Sequence, residues 1–125
     1  KNSEYFWGDL FKIQLSKSNM GLNLSRGKPV KYYSSDRIAQ IMGNGLLCFI
    51  DEKTFYSDFF NKNEIITYKN SNDLIENILK FKKDIKNRKS IAANGKKKYM
   101  KIFNSNNVAK FIVHKTLELK KVSFW

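Results

Sequence analysis

The apolar positions of the chain recur with two spacings, one typical of helices and one typical of strands. Ser3–Ser18 carries Phe6, Leu10 and Ile13 on one stripe, which predicts an amphipathic helix. Apolar residues recur at helical spacing in five later segments, which predicts a short helix over 38–42, another near 56–60, and three in succession over 74–79, 85–102 and 108–119.

Polar residues and glycines mark where these helices are expected to begin and end. Ser34-Ser35-Asp36 offers hydroxyl and carboxylate caps for the helix over 38–42, and Gly43-Asn44-Gly45 stops it. Asn70–Asp73 and Ser105-Asn106 offer caps for two of the later helices. Arg26–Pro29 contains glycine and proline and therefore predicts a loop.

Three short segments predict strands. Gly21–Ser25 alternates apolar and polar residues, and Glu64–Tyr68 is a second candidate. Leu46–Ile50 is a run of apolar residues bounded by glycine and aspartate, which is typical of a strand buried on both faces. Because helices alternate with these strands, the sequence predicts an α/β fold with a mainly parallel sheet, right-handed crossovers and C-terminal helices.

Length and cysteine usage narrow the class of protein. The 125 residues, 42% of them hydrophobic, suit one domain over 1–125 with its own core. The single Cys48 has no disulfide partner within the chain, which excludes a secreted disulfide scaffold and fits the reducing cytoplasm. No apolar run approaches the roughly 18 residues of a membrane span. We therefore expect a cytoplasmic protein, or one peripheral to the inner membrane surface.

The chain is strongly basic, and its charge is localised. It has 24 Lys+Arg against 11 Asp+Glu, a formal net charge of +13, and Lys80–Lys101 contains a single acid, Asp84. Such a run suits acidic surfaces as partners and offers one alternative function, a nucleic-acid-binding module. Only Arg26, Arg37 and Arg88 are arginines, however, and arginine is the residue that binds phosphate and guanine bidentately. The sequence therefore favours a solvated helix face over a polyanion site.

Two segments have the composition of an anion-binding site. In an open parallel sheet, ligands bind beyond the carboxyl ends of the strands, often at helix N-termini. Ser25, Arg26, Gly27 and Lys28 follow the first predicted strand, and Ser34-Ser35 opens the next helix. Hydroxyls, cations and a glycine in these places predict phosphate binding, although serines before a helix are more often plain caps.

The sequence lacks the residues and motifs of several other chemistries. With His114 as its one histidine and Cys48 as its one cysteine, it does not favour a zinc site. It has no D-x-D pair, no G-x-x-x-x-G-K-S/T loop and no G-x-G-x-x-G motif. We therefore expect no metal and no other cofactor. A third class, a receiver-like interaction domain, would need clustered acids at a strand end, and only Asp51-Glu52 comes near this requirement.

Several motifs resemble those of bacterial group-1-type glycosyltransferases, which have the two-domain GT-B fold. Arg37–Leu47 resembles their R-x-x-E-x-x-x-x-G segment, and Phe59–Tyr68 resembles their short helix, polar turn and E-x-x-x-Y segment. Asn72-Asp73-Leu74 resembles their x-E-L helix start, and Arg88–Gly95 their R-x-x-I-A-x-x-G helix. These matches occur in the family's order between about Leu22 and Val113.

The resemblance implies that the chain is the C-terminal, donor-binding half of such an enzyme. It implies a Rossmann-like three-layer domain, a nucleoside-diphosphate sugar as substrate, and an N-terminal domain as partner that supplies the acceptor site. Arg37 matches the family arginine near the diphosphate, and Gly45 the glycine that lets the next strand pack. Gln40 stands where the family has a glutamate that binds the ribose hydroxyls. Related retaining enzymes have two glutamates eight positions apart, and Tyr32 and Gln40 occupy those places here.

Overall fold

The computed structural model describes residues 6–25 and 27–118. Its helices and strands are α1 (Gly8–Ser16), β1 (Met20–Asn23), α2 (Arg37–Gly43), β2 (Leu47–Asp51), β3 (Ile66–Tyr68), α3 (Ser71–Lys83), α4 (Ile85–Ile102) and α5 (Ser105–Thr116). Two short 3₁₀ turns, Glu52–Thr54 and Tyr56–Asp58, lie between β2 and β3. The predicted order of helices and strands is confirmed, except that 3₁₀ turns take the place of the helix predicted near 56–60.

The three strands form one parallel sheet in the order β1-β2-β3. In its register, Leu22 lies beside Phe49 and Phe49 beside Ile66. All three carboxyl ends therefore lie at the same edge of the sheet. The α/β class, the parallel sheet and the C-terminal helices agree with the sequence-based expectation of a Rossmann-like domain.

Both faces of the central strand β2 are covered, as the apolar run predicts. Cys48 and Ile50 face a cluster that contains Ile41 and Met42 of α2. Leu47 and Phe49 face the opposite cluster, which contains residues of α3 and α4, namely Leu74, Ile78, Phe81, Ile91 and Ala92. The sheet is thus the middle of three layers.

The boundaries of two strands differ from the predicted ones. β1 ends at Asn23 instead of Ser25, and Leu24 is exposed. β3 begins at Ile66 instead of Glu64, because the backbone N–H groups of Glu64 and Ile65 donate to the carbonyl of Asn61 in a turn. The predicted helix near 56–60 is a single 3₁₀ turn.

A left-handed glycine ends α2, as the sequence predicts. Gly45 has a φ of +75°, and its N–H donates to the Met42 carbonyl while the N–H of Leu46 donates to the Ile41 carbonyl. These two bonds form a Schellman motif, which directs the chain from α2 straight into β2.

Helix α4 packs directly on the backbone that precedes β3. A Cβ atom at Gly95 would meet the carbonyl oxygen of Glu64 and lie 3.1 Å from the Cε atom of Met42. Glycine is therefore required at this position for steric reasons.

Candidate functional site

A buried polar side chain connects the carboxyl end of β1 to the segment before α2. Asn23 is only 2% exposed. Its Nδ2 donates to the Oγ of Ser34 across 3.2 Å, and its Oδ1 accepts from the Oγ of Ser35 across 3.3 Å. The hydroxyl of Tyr56 is also hydrogen-bonded to Ser34. Two of the sequence-predicted site residues, Ser34 and Ser35, are therefore brought together at the carboxyl edge of the sheet.

The predicted capping role of Ser34-Ser35-Asp36 is wrong. Asp36 is the residue before α2, but its backbone is already helical and its side chain accepts no capping bond. The Ser34 hydroxyl donates to the Ser35 carbonyl, and the Ser35 hydroxyl donates to Asn23. The serine side chains thus bond to tertiary partners and not to the free N–H groups of the helix. Similarly, Asn104 caps α5 in place of the predicted Ser105-Asn106.

Arg37, in the first turn of α2, extends back to the chain that follows β1. Its Nη1 donates to the carbonyl oxygen of Leu24 across 3.0 Å. Gln40 follows one helical turn later and is exposed. Residues three apart lie on the same side of a helix, so Arg37 and Gln40 face the same space.

That space is a groove of about 620 Å³ between α1, β1 and α2, which we call the α1–α2 groove. Its polar lining includes Asp36, Arg37 and Gln40. Its apolar and small lining residues are Phe6, Trp7, Gly8, Phe11, Leu15, Met20, Gly21, Leu22, Ile41 and Leu46. A volume of this size suits a ligand as large as a nucleotide.

The loop after β1 holds the remaining predicted residues. Ser25 is half-buried, Gly27 has a φ of +76°, and Lys28 is exposed. Within 6–25 and 27–118, the side chains of Ser25 and Lys28 have no hydrogen bond or ion pair to another residue. Arg26 lies outside the described residues. Ser25 and Lys28 therefore lie beyond the end of β1, and within the described residues neither side chain is hydrogen-bonded to another predicted site residue.

A second connection at the same edge was not expected from the sequence. The N–H of Tyr32 donates to the carbonyl of Thr54 across 2.8 Å, and the Tyr32 hydroxyl donates to Asp58 across 2.7 Å. The Lys31 ammonium lies 4.8 Å from the Tyr32 ring and 5.0 Å from the Phe55 ring. These contacts hold the loop before α2 against the turns that follow β2.

Two of these aromatic residues have backbone conformations that are uncommon for bulky side chains. Tyr32 has a φ of 60° and Phe55 a φ of 57°. Left-handed backbone in such residues costs on the order of 1 kcal/mol or more. No periodicity or turn signal in the sequence indicates it, because glycine and asparagine are the usual residues at such positions.

Burial changes the acidity of several groups beneath the site. It raises the pKa of the Cys48 thiol to about 12, so this thiol is neutral at neutral pH. Burial likewise raises the pKa of Tyr56, partly opposed by its hydrogen bond with Ser34. Tyr68 has a raised pKa mainly through burial and further through the charge of Asp51. Cys48 thus lies in the core, as expected for a residue within the apolar run Leu46–Ile50.

The carboxylate of Asp51, at the end of β2, forms a hydrogen bond with the backbone that follows it. The Oδ1 of Asp51 accepts from the N–H of Lys53 across 2.9 Å at the start of the first 3₁₀ turn. In the described part of the chain, no three His, Cys, Asp or Glu residues are grouped so that they could hold a metal ion. The same residues include no helix long and apolar enough to cross a bilayer.

Comparison with known proteins identifies the family. A family model described as glycosyl transferase-like matches residues 7–114, which include the sheet, the Asn23 contacts and every lining residue of the α1–α2 groove except Phe6. No curated protein and no solved structure gives a significant match to the chain. The family match covers most of the sequence and all three strands, and the chain therefore belongs to the glycosyl transferase-like family.

Proposed function

We propose that this chain is the donor-binding domain of a glycosyltransferase and binds a nucleoside-diphosphate sugar at the carboxyl edge of its sheet. The observation that carries the proposal is that Arg37 and Gln40, both within the family match, line the same groove. Met20, Gly21 and Leu22 of β1 also line the groove, and the loop that carries Ser25, Gly27 and Lys28 follows the end of this strand.

The diphosphate is assigned to the Arg37 end of the groove. A guanidinium carries five N–H donors, and the bond to Leu24 uses one of them, so others remain for phosphate oxygens. Arg26 and Lys28 supply further positive charge in the preceding loop. The hydroxyls of Ser34 and Ser35 donate to phosphate only when they exchange their present acceptors, the Ser35 carbonyl and the Asn23 side chain. The donor of a glycosyl transfer leaves as a diphosphate, and cations placed where this charge develops stabilise the transition state.

The nucleoside is assigned to the α1 side of the groove. Gln40 has an amide that can both donate to and accept from ribose hydroxyls. Trp7 and Phe11 line the same groove and provide an apolar wall suited to a base. This arrangement places the polar contacts at α2 and the aromatic contacts at α1.

A second domain is proposed to face this one and to supply the acceptor site. Transfer requires both reactants to be held in one geometry, and a donor-binding domain by itself does not provide it. We therefore expect the purified 125-residue chain to bind nucleotide without transferring sugar. Efficient transfer by this chain alone would contradict the two-domain proposal.

Calorimetric titration of UDP, GDP and inorganic pyrophosphate tests the assignment of Arg37 and Gln40. A charge-assisted hydrogen bond contributes roughly 1.5–3 kcal/mol, so Arg37→Ala should weaken binding of nucleotide and pyrophosphate on the order of tenfold to a hundredfold. Gln40→Ala should weaken the binding of the nucleotides and leave the binding of pyrophosphate unchanged. Lys17→Ala, outside the groove, is the control. If wild type and Arg37→Ala bind nucleotide and pyrophosphate with equal affinity, Arg37 does not bind the diphosphate and only holds the carbonyl of Leu24.

A further inference from the structure

A second cavity, larger than the α1–α2 groove, lies away from it beside the outer strand β3. It has a volume of about 700 Å³ and is bordered by β3, α3, α4 and the turn before β3. A smaller hollow of about 400 Å³ shares Asn61, Asn63 and Asn94 with it. The two hollows form one continuous depression, which we call the β3-edge groove.

One face of α4 forms the long wall of the β3-edge groove. Asn87, Ser90, Asn94, Lys97 and Lys101 are spaced three or four residues apart and therefore lie on one side of the helix. At a rise of 1.5 Å per residue, this wall extends over about 21 Å. The groove is long enough for an extended polymer segment and is not confined to a small molecule.

The charge of the β3-edge groove is strongly positive. Its lining contains five lysines, namely Lys62, Lys80, Lys97, Lys98 and Lys101. Its one carboxylate, Glu64, accepts a hydrogen bond from the N–H of Asn61. None of these lysines forms an ion pair with another residue of 6–25 or 27–118. The groove is therefore electrostatically complementary to an anionic ligand.

Neutral hydrogen-bonding groups lie between the lysines. The lining includes five asparagines, two serines and one threonine. Within the described chain, the side chains of Asn63, Ser90 and Asn94 form no hydrogen bond. An amide presents a donor and an acceptor side by side, which matches adjacent hydroxyl groups of a polyol.

The features used for nucleic-acid recognition are not part of this lining. Phe60 and Phe81 border the groove but are only 2% and 4% exposed, so their rings cannot stack on bases. Arg88 is engaged through Nη1 with the Phe81 carbonyl and through Nη2 with Asn19. The lining of the groove instead provides amides that can bond to hydroxyl groups and lysines that can bind acidic groups. This combination matches a sugar polymer that carries carboxylates.

We propose that the β3-edge groove binds an anionic oligosaccharide. The lysines contact the acidic groups of the polymer, and the amides of Asn63 and Asn94 contact its hydroxyls. Its further identification as the distal part of an acceptor chain, whose reacting end the second domain holds, rests on the proposed function.

Binding of oligogalacturonate by the purified chain, measured by calorimetry without nucleotide, tests the proposal separately from the donor site. We expect oligogalacturonate to bind at least about tenfold more tightly than its methyl-esterified, uncharged form, a difference that converts to about 1.4 kcal/mol. The triple variant Lys80→Gln, Lys97→Gln, Lys101→Gln should lose about tenfold or more, while Lys17→Gln, Lys110→Gln, Lys115→Gln, with equal charge loss outside the groove, should lose less than about twofold.

A second pair of measurements distinguishes a glycan from a nucleic acid. The variant Asn63→Leu, Asn94→Leu should weaken oligogalacturonate several-fold and leave binding of oligodeoxythymidylate unchanged, with circular dichroism confirming the fold. The proposal is overturned if oligogalacturonate does not bind, if the two triple variants lose affinity equally, or if oligodeoxythymidylate binds more tightly and the asparagine variant changes neither ligand. Failure of UDP binding in the same preparation would leave the result for this groove unaffected.

Discussion

The side-chain amide of Asn23 donates a hydrogen bond to the hydroxyl oxygen of Ser34, eleven positions later in the chain, across 3.2 Å. This bond joins the end of a buried strand to the segment that begins α2. The position of Ser34 is therefore determined by β1 more than by the helix that it precedes in sequence.

Removal of the Asn23 amide should destabilise the protein and disturb its anion site. In Asn23→Ala, the Ser34 and Ser35 hydroxyls lose their part-buried partner, so we expect the free energy of unfolding to fall by about 1–3 kcal/mol. Urea unfolding measures this change. Asn44→Ala is a matched control, because Asn44 is exposed and its amide bonds to the carbonyl of Gln40 in its own helix turn. If the free energy of unfolding falls equally in the two variants, the burial of Asn23 does not strengthen the effect of its hydrogen bonds on stability.

The left-handed backbone at Gly45 predicts that substitutions at Gly45 and Gly43 change the stability in opposite directions. Gly45→Val should lower the free energy of unfolding by roughly 1–3 kcal/mol, because a β-branched residue is strained at a φ of +75°. At Gly43, inside α2, a Cβ atom meets nothing within 4 Å, so Gly43→Ala should stabilise by about 0.4–1 kcal/mol. Thermal melting of both variants checks the signs, and an unchanged melting curve for Gly45→Val would count against the strained turn.

The contact between α4 and the backbone before β3 predicts that a single methyl group is too large at position 95. Gly95→Ala should cost about 1–3 kcal/mol, because α4 must move away from the Glu64 carbonyl to accept the Cβ atom. Ala93→Ser, on an exposed position of the same helix, should stay within about 0.5 kcal/mol of wild type. Denaturant unfolding compares the two. A Gly95→Ala protein as stable as wild type would mean that α4 lies farther from this backbone.

Burial of Cys48 predicts a loss of stability at alkaline pH. The folded pKa is about 12 against an ordinary value of 9.0, so between these values the thiol ionises in the unfolded chain only. The stabilising effect is complete below pH 9 and is lost as the pH rises towards 12, with a slope of up to about 1.4 kcal/mol per pH unit.

A comparison of wild type with Cys48→Ala isolates this effect. Burial is the largest cause of the raised pKa of Tyr56, Tyr68 and Tyr99, and it acts in both proteins. The charge of Cys48 raises the pKa of Tyr56 and Tyr68 further, and its removal in Cys48→Ala acts in the same direction as the loss of the thiol. We therefore expect the free energy of unfolding to fall more steeply with pH in wild type between pH 9 and 11. Parallel curves from urea unfolding at several pH values would show that the thiol is not protected in the folded state.

The elements whose residues satisfy a local rule could be predicted from the sequence. The apolar run of β2 and the glycines after α2 depend on neighbouring residues only, and both are confirmed. Asn70 caps α3 as its position suggests, with its Oδ1 accepting from the N–H of Asp73. The stripe of Phe6, Leu10 and Ile13 indicated a helix, although α1 begins only at Gly8.

The candidate site depends on contacts between residues far apart in sequence, which local patterns do not contain. A serine before a helix can cap it or bond elsewhere, and at Ser34 and Ser35 the choice was decided by Asn23. The left-handed backbone of Tyr32 is held by the carbonyl of Thr54, which follows a different strand. The motif resemblance indicated Arg37 and Gln40, but the groove that they share includes Phe11 of α1 and Trp7 just before it, which no motif indicated.

β2 is synthesised well before the residues that bury it. On the ribosome, Leu47 and Phe49 emerge ahead of Phe81 and Ala92, which cover them in the folded domain. An apolar run such as Leu47–Ile50 that is exposed before its partners have been synthesised is prone to pair with other chains. We therefore expect translation products that stop before α4 to aggregate, and the nascent chain to need protection by chaperones until that helix has emerged.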